Sequence, residues 1–275
     1  MTQRTSPWRS LACALSLAAL GTGPAAQATV VEIQTVLGNF QVNLFDETTP
    51  LTVANFLDYV NNGAYTDSLI HRSETTTTFI IQGGGFLFDG TPPVTAITTN
   101  PPVLNEPFLS NVRGTISMAK VSNAPNSATS QWFINLQDNS DALDPLNSGF
   151  TVFGIVLDDG MDVVDAIAAL PQFNFFDNED FGGDVRGALA ELPLRDYDAA
   201  DGDPDSDNLI IVSAVVVTDT TVSTNVDLLP PENPLQSIPI PTNNGGGGAT
   251  GVLALLGLGF VGLRRRFVNR HLVNI

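Results

Sequence analysis

Short runs of β-branched and aromatic residues alternate with turn-forming residues through the middle of the chain. Val30 to Val36 and Phe40 to Phe45 are two such runs, and the Leu37-Gly38-Asn39 segment between them predicts a β-hairpin. Further short apolar runs, separated by Gly, Pro, Asn and Asp, lie at 68–71, 79–82, 114–119, 131–135, 151–157 and 209–217. Runs of this length and spacing are typical of β-strands.

Two segments have the wider spacing of a helix. The first begins at Pro50 and ends at Asn61-Asn62-Gly63. Its apolar residues recur at helical intervals: Val53, Phe56, Leu57 and Val60. The second extends from Met161 to Leu170 and stops before Pro171. Because many short strands accompany two helices without a β-α-β repeat, the sequence predicts a mostly β fold, an antiparallel barrel or sandwich.

The first residues have the composition of a targeting segment. Residues 1–28 contain two arginines, an apolar stretch and the small-residue pattern Ala26-Gln27-Ala28, which together predict a cleaved secretory signal peptide. The chain's one cysteine, Cys13, lies inside this segment. We therefore expect a mature chain that has no disulfide and is held together by its apolar core.

A second targeting pattern occupies the C-terminal end. Residues 222–244 are rich in Pro, Asn, Ser and Thr and predict an extended linker. Residues 245–275 continue with four glycines, an apolar stretch at 249–263 and the cluster Arg264-Arg265-Arg266. This order resembles the Gly-Gly type of C-terminal sorting signal in exported bacterial proteins, and it implies cleavage near the glycines and delivery to the cell surface. The alternative is a membrane anchor formed by 249–263.

The chain is strongly acidic, with 29 Asp and Glu, 11 Lys and Arg and a formal net charge of -18 over 275 residues. Residues 29–244 contain all of the acidic residues and only five of the basic ones, so their net charge is -24. Those basic residues are Arg72, Arg113, Lys120, Arg186 and Arg195. Because such a surface repels phosphates, we expect no nucleic-acid partner, and membrane contact only through the C-terminal segment.

Few residues between the two ends suit metal or nucleophilic chemistry. His71 is the single histidine of residues 29–244, and cysteine is absent there, so the sequence predicts no zinc site. No Gly-x-Ser-x-Gly motif is present, and Gly83-Gly84-Gly85 lacks the Lys-Ser/Thr pair of a phosphate-binding loop. We therefore expect no cofactor.

One metal hypothesis stays open in the acidic stretch between Asp177 and Asp207. Asp201, Asp203 and Asp205 are candidate Ca²⁺ ligands, because carboxylates alternate there with other residues. Their spacing around Gly202 does not follow the EF-hand rule. A solvated acidic loop is the simpler interpretation.

Three blocks of sequence follow one another in a fixed order. They are Ile70-His71-Arg72, then Phe79-Ile80-Ile81-Gln82-Gly83-Gly84-Gly85-Phe86, then Gly114 to Lys120 with Ser127 to Ile134. The ordered series resembles the cyclophilins, in particular the exported bacterial type of peptidyl-prolyl cis-trans isomerase, from about Val30 to Val217. The resemblance implies an eight-stranded antiparallel barrel capped by two helices, with a peptide groove on its outside.

The resemblance also implies roles for individual residues. Arg72 matches the catalytic arginine of the family, and Gln82 and Gln131 match the polar pair that orients this arginine and the substrate backbone. The walls and floor of the proline pocket match Phe79, Ile80, Phe133 and Leu143. The groove edge matches Ala119 and Lys120, and Phe150 lies at a further substrate-binding position.

These residue types suit rotation about an X-Pro bond, whose barrier is about 18–20 kcal/mol. A quarter turn of the amide localises the lone pair on the proline nitrogen, and a fixed guanidinium can donate a hydrogen bond to it. This interaction is stronger in the twisted state than in either planar isomer, so it lowers the barrier. Apolar walls hold the pyrrolidine ring while the carbonyl side turns, and the reaction needs no nucleophile or metal.

Three positions depart from the family pattern. Glu74 and the run Thr75 to Thr78 stand where the family usually has Pro-Gly, which places an acid where it can compete for the Arg72 guanidinium. Ala142 replaces an aromatic residue of many members, and Phe150 replaces a polar or tyrosine-like side chain. We expect weaker substrate affinity and little binding of cyclosporin-type inhibitors, while catalysis by Arg72 is less affected.

The sequence thus predicts an exported, monomeric, cofactor-independent peptidyl-prolyl cis-trans isomerase domain over residues 29–221. Its expected partners are proline-containing segments of folding proteins in the periplasm or at the cell surface. Two alternatives remain. One is a non-catalytic surface module that holds proline-containing segments in the same groove, and the other is a Ca²⁺-dependent surface role of the acidic stretch.

Overall fold

The computed structural model describes residues 28–222 and 228–236, and these form a mostly β structure. Its first two strands are the predicted hairpin, β1 (Ala28–Thr35) and β2 (Gly38–Leu44). Thr35 pairs with Gly38 across a two-residue turn, and Gly38 has φ +133°, which a residue with a side chain rarely adopts. The turn residues therefore set the register of the whole hairpin.

The remaining strands are short. Within the described residues they are β3 (Ser68–Leu69), β4 (Arg72–Glu74), β5 (Ile80–Gly83), β6 (Phe86–Leu87), β7 (Thr95–Ala96), β8 (Thr115–Met118), β9 (Trp132–Asn135), β10 (Val152–Val156), β11 (Gln172–Phe173), β12 (Leu192–Pro193) and β13 (Ile211–Val222). The helices are α1 (Pro50–Asn61), α2 (Ser140–Leu143), α3 (Gly160–Ala168) and α4 (Glu179–Gly182). Short 3-10 turns lie at Leu146–Ser148, Gly183–Ala188 and Ala199–Asp201. Both predicted long helices are present, although α3 ends two residues earlier than the sequence predicts.

Eleven of the described strands form one antiparallel sheet, in the order β4-β5-β9-β8-β10-β2-β1-β13-β3-β6-β7. β4 and β3 lie toward opposite ends of this order, yet in the chain they are separated only by Ile70 and His71. The segment 68–74 therefore pairs with both ends of the sheet, and the sheet is curled. Ile70 N–H donates to Ile210 O (2.9 Å) on one side, and His71 N–H donates to Gln82 O (3.0 Å) on the other. Taken as one strand, this segment joins seven others in an eight-stranded curl. The predicted antiparallel barrel with few helices is confirmed.

Alternation along the strands separates the inside of the curl from its outside. On β5 and β9, Ile81, Trp132 and Ile134 are fully buried in the main core together with apolar residues of α1 and α3. Their neighbours Ile80 and Phe133 belong to a separate cluster. Since adjacent strand residues point to opposite faces, this second cluster lies on the outer face of the sheet.

The segment 177–207, here called the acidic insert, is more ordered than the solvated loop that the sequence suggests. Its apolar residues Phe181, Leu189, Leu192 and Leu194 are fully buried in a third cluster, which also includes Leu69 of β3. In addition, β12 of the insert pairs with β11. Burial of these apolar side chains, which are interspersed among the acids, packs the insert against the curled sheet.

Part of the predicted linker also packs on the domain. Ser110 N–H donates to Pro231 O and Asn233 N–H donates to Phe108 O, both at 2.8 Å, and Leu229 packs against Phe45 and Leu109. Residues 228–236 are therefore not an extended spacer, because their backbone groups form hydrogen bonds with residues 108 and 110. The predicted signal peptide, apart from Ala28, and the predicted sorting signal at 245–275 lie outside the described residues. Within those residues, no helix has the length and apolar character needed to cross a bilayer.

Candidate active site

The outer face of the sheet brings Arg72 next to the predicted polar and apolar site residues. In the strand register, Arg72 lies opposite Gln82, and Gln82 lies opposite Phe133. Directly opposed residues of antiparallel strands point to the same face, and neighbouring strands are about 4.8 Å apart. Phe133 is thus about 10 Å from Arg72 across the sheet.

Most of the predicted proline-pocket residues form one cluster, separate from the main core. The cluster, here called the outer apolar cluster, consists of Ile80, Ala119, Phe133, Leu143 and Phe150. The Phe133 and Phe150 rings meet edge to face, with centroids 5.7 Å apart. The structure therefore brings together, from four separate stretches of sequence, apolar residues that the resemblance assigns to the substrate site, and each of them is at most 4% exposed.

Phe79 is the predicted pocket residue that this cluster does not include. Its side chain is half-buried, and its backbone has φ +46°, which is unusual for a bulky residue. The Phe79 carbonyl accepts from Leu136 N–H at 2.8 Å. The end of the Glu74 to Thr78 loop thus turns Phe79 away from the cluster that its neighbour Ile80 joins.

The two predicted glutamines contact each other. Gln82 Nε2 donates to Gln131 Oε1 at 2.8 Å, and the Oε1 atom of Gln82 is buried without a hydrogen-bond partner. Both glutamines line a cavity of about 170 Å³ together with Arg72 and His71. The opposite wall belongs to the acidic insert: Gly187, Ala188, Ala190 and Glu191. A buried free acceptor beside a half-exposed guanidinium suits a peptide backbone, which offers N–H donors and carbonyl acceptors.

Glu74 does not compete for Arg72, contrary to the expectation from the sequence. Its carboxylate accepts hydrogen bonds from the backbone N–H groups of Thr76, Thr77 and Thr78 and from the hydroxyls of Thr76 and Thr78. Burial alone would raise the pKa of Glu74, but these hydrogen bonds outweigh it and hold the pKa well below its usual range. The threonine run therefore provides the hydrogen-bond donors for the Glu74 carboxylate, and these bonds hold the 74–78 loop together.

The acid that pairs with Arg72 is Glu191. Arg72 Nε donates to Glu191 Oε2 at 2.6 Å. Sequence reasoning missed this residue because it is 119 positions away from Arg72 and belongs to none of the recognised blocks. The available signal was the strand-like run Leu189-Ala190-Glu191-Leu192, whose leucines predict a packed segment within the acidic stretch.

Lys120 lies beside the outer apolar cluster with its side chain folded inward. Its Nζ donates to the carbonyls of Asn147 and Gly149 and lies 4.7 Å from the centroid of the Phe150 ring. The residue is 2% exposed, and burial lowers its pKa from 10.5 to about 8. The Lys120 ammonium thus braces the loop that holds Phe150, while any groove edge here consists of main chain.

His71 is structural in its surroundings. Its ring is buried edge-on against Phe86, with centroids 4.6 Å apart, and its Nδ1 has no partner. Burial lowers the pKa of His71 to about 3. The imidazole is therefore neutral at physiological pH, although it is one of the residues that line the cavity.

The part of the chain that the structure describes shows no cluster of side chains that would support the Ca²⁺ hypothesis. No group of three or more His, Cys, Asp or Glu side chains there is arranged to hold a metal ion. Asp203 accepts instead from Asn178, and Asp205 accepts from the Asp207 N–H. Asp201 has no described side chain, so the hypothesis for the three aspartates stays a prediction.

Comparisons of the sequence with known proteins point to one family. The family model described as "Cyclophilin type peptidyl-prolyl cis-trans isomerase/CLD" matches residues 30–182. A peptidyl-prolyl cis-trans isomerase of Acinetobacter baylyi is 43% identical over 150 residues, which are 54% of this chain and 76% of that protein. Peptidyl-prolyl cis-trans isomerase A of Dickeya dadantii is 44% identical over 165 residues, which are 58% of this chain and 82% of that protein.

A crystal structure of a Cryptosporidium parvum cyclophilin-type peptidyl-prolyl cis-trans isomerase superimposes with a TM-score of 0.47 at 21% identity, covering 70% of this chain and 99% of that chain. The family assignment depends on the sequence matches, which extend over more than half of this chain and most of the length of its relatives. The chain belongs to the cyclophilin-type peptidyl-prolyl cis-trans isomerase family.

Proposed function

We propose that the protein accelerates rotation about X-Pro bonds in exported proteins while they fold, with Arg72 as its catalytic residue. The observation that carries this proposal is the shared outer face of Arg72, Gln82 and the outer apolar cluster. The backbones of Arg72 and Phe133 are about 10 Å apart across two strand spacings, and the long Arg72 side chain can span this gap toward the nitrogen of a proline ring seated at Phe133.

Each part of the site has a separate task in this reaction. The outer apolar cluster is the proposed seat of the pyrrolidine ring, and it must open to admit the ring, because Phe133 and Ile80 are 0% exposed. The free Oε1 of Gln82 accepts a backbone N–H of the peptide, because it is buried and otherwise unpaired. Arg72 then donates a hydrogen bond to the proline nitrogen, because twisting of the amide localises the lone pair on that nitrogen.

The role in folding follows from the kinetics of proline isomerisation. Unaided isomerisation takes tens of seconds at 25 °C, so it limits the refolding of many proline-containing chains. We expect the purified protein to accelerate the slow refolding phase of a disulfide-free protein that has a native cis-proline. If that phase keeps its rate while a proline peptide still binds, the non-catalytic binding module is the correct account.

Removal of the predicted signal peptide is compatible with the fold. β1 starts at Ala28, and Thr29 is tied to Asp46 by two hydrogen bonds of 2.8 Å, so removal of residues 1–28 leaves the hairpin with its contacts. The chain that a bacterium exports is expected to begin at Thr29, measured by mass spectrometry of the protein from the periplasmic and envelope fractions. Recovery of a chain beginning at Met1 from the cytoplasm alone would contradict export.

A further inference from the structure

The acidic insert places a carboxylate directly on the proposed catalytic residue. Glu191 Oε2 lies 2.6 Å from Arg72 Nε, and the two side chains are 35% and 25% exposed. Arg113 and Asp165 form a comparable pair at 2.6 Å, but both of their side chains are 47% exposed, away from the outer apolar cluster. The Arg72 pair is thus the less solvated of the two, and it borders the cavity.

The backbone of Glu191 is held from two sides, so its side chain does not meet Arg72 by chance. Glu191 O accepts from Ser73 N–H at 2.8 Å, which ties the insert to β4 beside Arg72. The next residue, Leu192, is fully buried and pairs with Phe173 of β11. These contacts hold the Glu191 main chain independently of the ion pair.

The ion pair occupies one edge of the guanidinium and leaves the other open. Within the described residues, the hydrogen bond of Arg72 goes from Nε to Glu191, and its two Nη atoms stay available. Because the guanidinium is planar and rigid, holding Nε fixes the directions of both Nη groups. The insert also contributes three small residues to the lining of this cavity, Gly187, Ala188 and Ala190.

We propose that Glu191 is a positioning residue that orients the Arg72 guanidinium toward the twisting amide. This inference rests on the proposed catalytic role of Arg72. Glu191 lies beyond residues 30–182, the part that matches the family model, so the acidic insert of this chain contributes it. Glu74, the nearer acid in sequence, accepts hydrogen bonds from the threonine run and does not contact Arg72, which pairs with Glu191.

The test compares two substitutions of nearly equal size. Glu191→Gln keeps an oxygen that accepts from Arg72 Nε, whereas Glu191→Met removes it and keeps the bulk of the side chain. In isomerisation of an Ala-Pro peptide, we expect Glu191→Met to lower kcat on the order of tenfold, with KM within about twofold of wild type, because the apolar seat is untouched. Glu191→Gln is expected to retain most of the rate.

Three further variants separate positioning from general structure. Glu179→Met makes the same chemical change at an exposed residue of the insert and is expected to keep the wild-type rate. In an Arg72→Ala background, Glu191→Met is expected to cause no further loss, because its effect passes through the arginine. Glu191→Ala replaces Glu191→Met in every comparison if thermal melting shows that the Met variant does not fold.

The outcomes distinguish this inference from the proposed function. An inactive wild type, or an Arg72→Ala variant of full activity, overturns the proposed function itself. If Arg72 is required but Glu191→Met keeps or exceeds the wild-type rate, the positioning role of Glu191 is wrong. An equal loss in the Arg72→Ala background likewise overturns it, because the effect would then not depend on Arg72.

Discussion

At the scale of single residues, two buried polar groups show how surroundings decide what a side chain can do. His71 is adjacent to Arg72 in sequence, yet its burial against Phe86 leaves it neutral. Lys120 is adjacent to Ala119 of the outer apolar cluster, and its Nζ is bound by two carbonyl groups. The only open cationic group at this site is therefore Arg72 among the described residues.

Lys120 is the one lysine of the sequence, and its burial predicts a pH dependence of stability. Between pH 8 and 10.5 the unfolded chain holds the lysine proton while the folded chain releases it, so raising the pH stabilises the folded state. The free energy of unfolding should rise between pH 8 and 10 by at most about 1.4 kcal/mol per pH unit. Urea unfolding at several pH values measures this slope.

The matched variants for this prediction are Lys120→Met and Arg113→Ala. We expect Lys120→Met to abolish the rise between pH 8 and 10, because Met has no proton to release. Arg113→Ala removes a basic residue that does not titrate in this range, so the rise should persist. An unchanged slope in Lys120→Met would show that another group causes it.

At the scale of elements, the segment 228–236 behaves as part of the domain. Its two backbone hydrogen bonds to residues 108–110, together with Leu229, close the outside of the β2 and β10 region. A chain that ends at Gln236 is expected to exceed one that ends at Val222 by about 2 kcal/mol in stability. Thermal unfolding of the two truncations tests this, and equal melting temperatures would show that the docked segment contributes nothing.

The sequence predicts local elements well where the pattern itself contains the cause. The predicted hairpin and the helix that begins at Pro50 are confirmed, although the turn lies at residues 36 and 37 and Gly38 already belongs to β2. The pattern could not separate Ile80 and Phe133 from the core residues beside them, because both runs are continuously apolar. The positive φ of Phe79 was not predictable, because it depends on the loop that forms when Glu74 accepts hydrogen bonds from the threonine run.

At the scale of the whole molecule, a curled sheet presents its site on the outside while a separate insert completes it. The main core fills the curl, the outer apolar cluster lies on its surface, and a third cluster anchors the acidic insert to β3. The family resemblance could predict the first two, because its motifs lie on those strands. It could not predict the pairing of Glu191 with Arg72, which depends on contacts between segments 119 residues apart.

The central claim is tested most directly by isomerisation of an Ala-Pro peptide with the wild type, Arg72→Ala, Arg72→Lys and Arg113→Ala. Arg113→Ala is the matched control, because it also removes an arginine paired to a carboxylate at 2.6 Å. We predict that Arg72→Ala lowers kcat/KM at least on the order of a hundredfold, that Arg72→Lys restores little, since lysine lacks the planar donor fork, and that Arg113→Ala keeps the wild-type rate. Full activity of a folded Arg72→Ala variant would contradict the account.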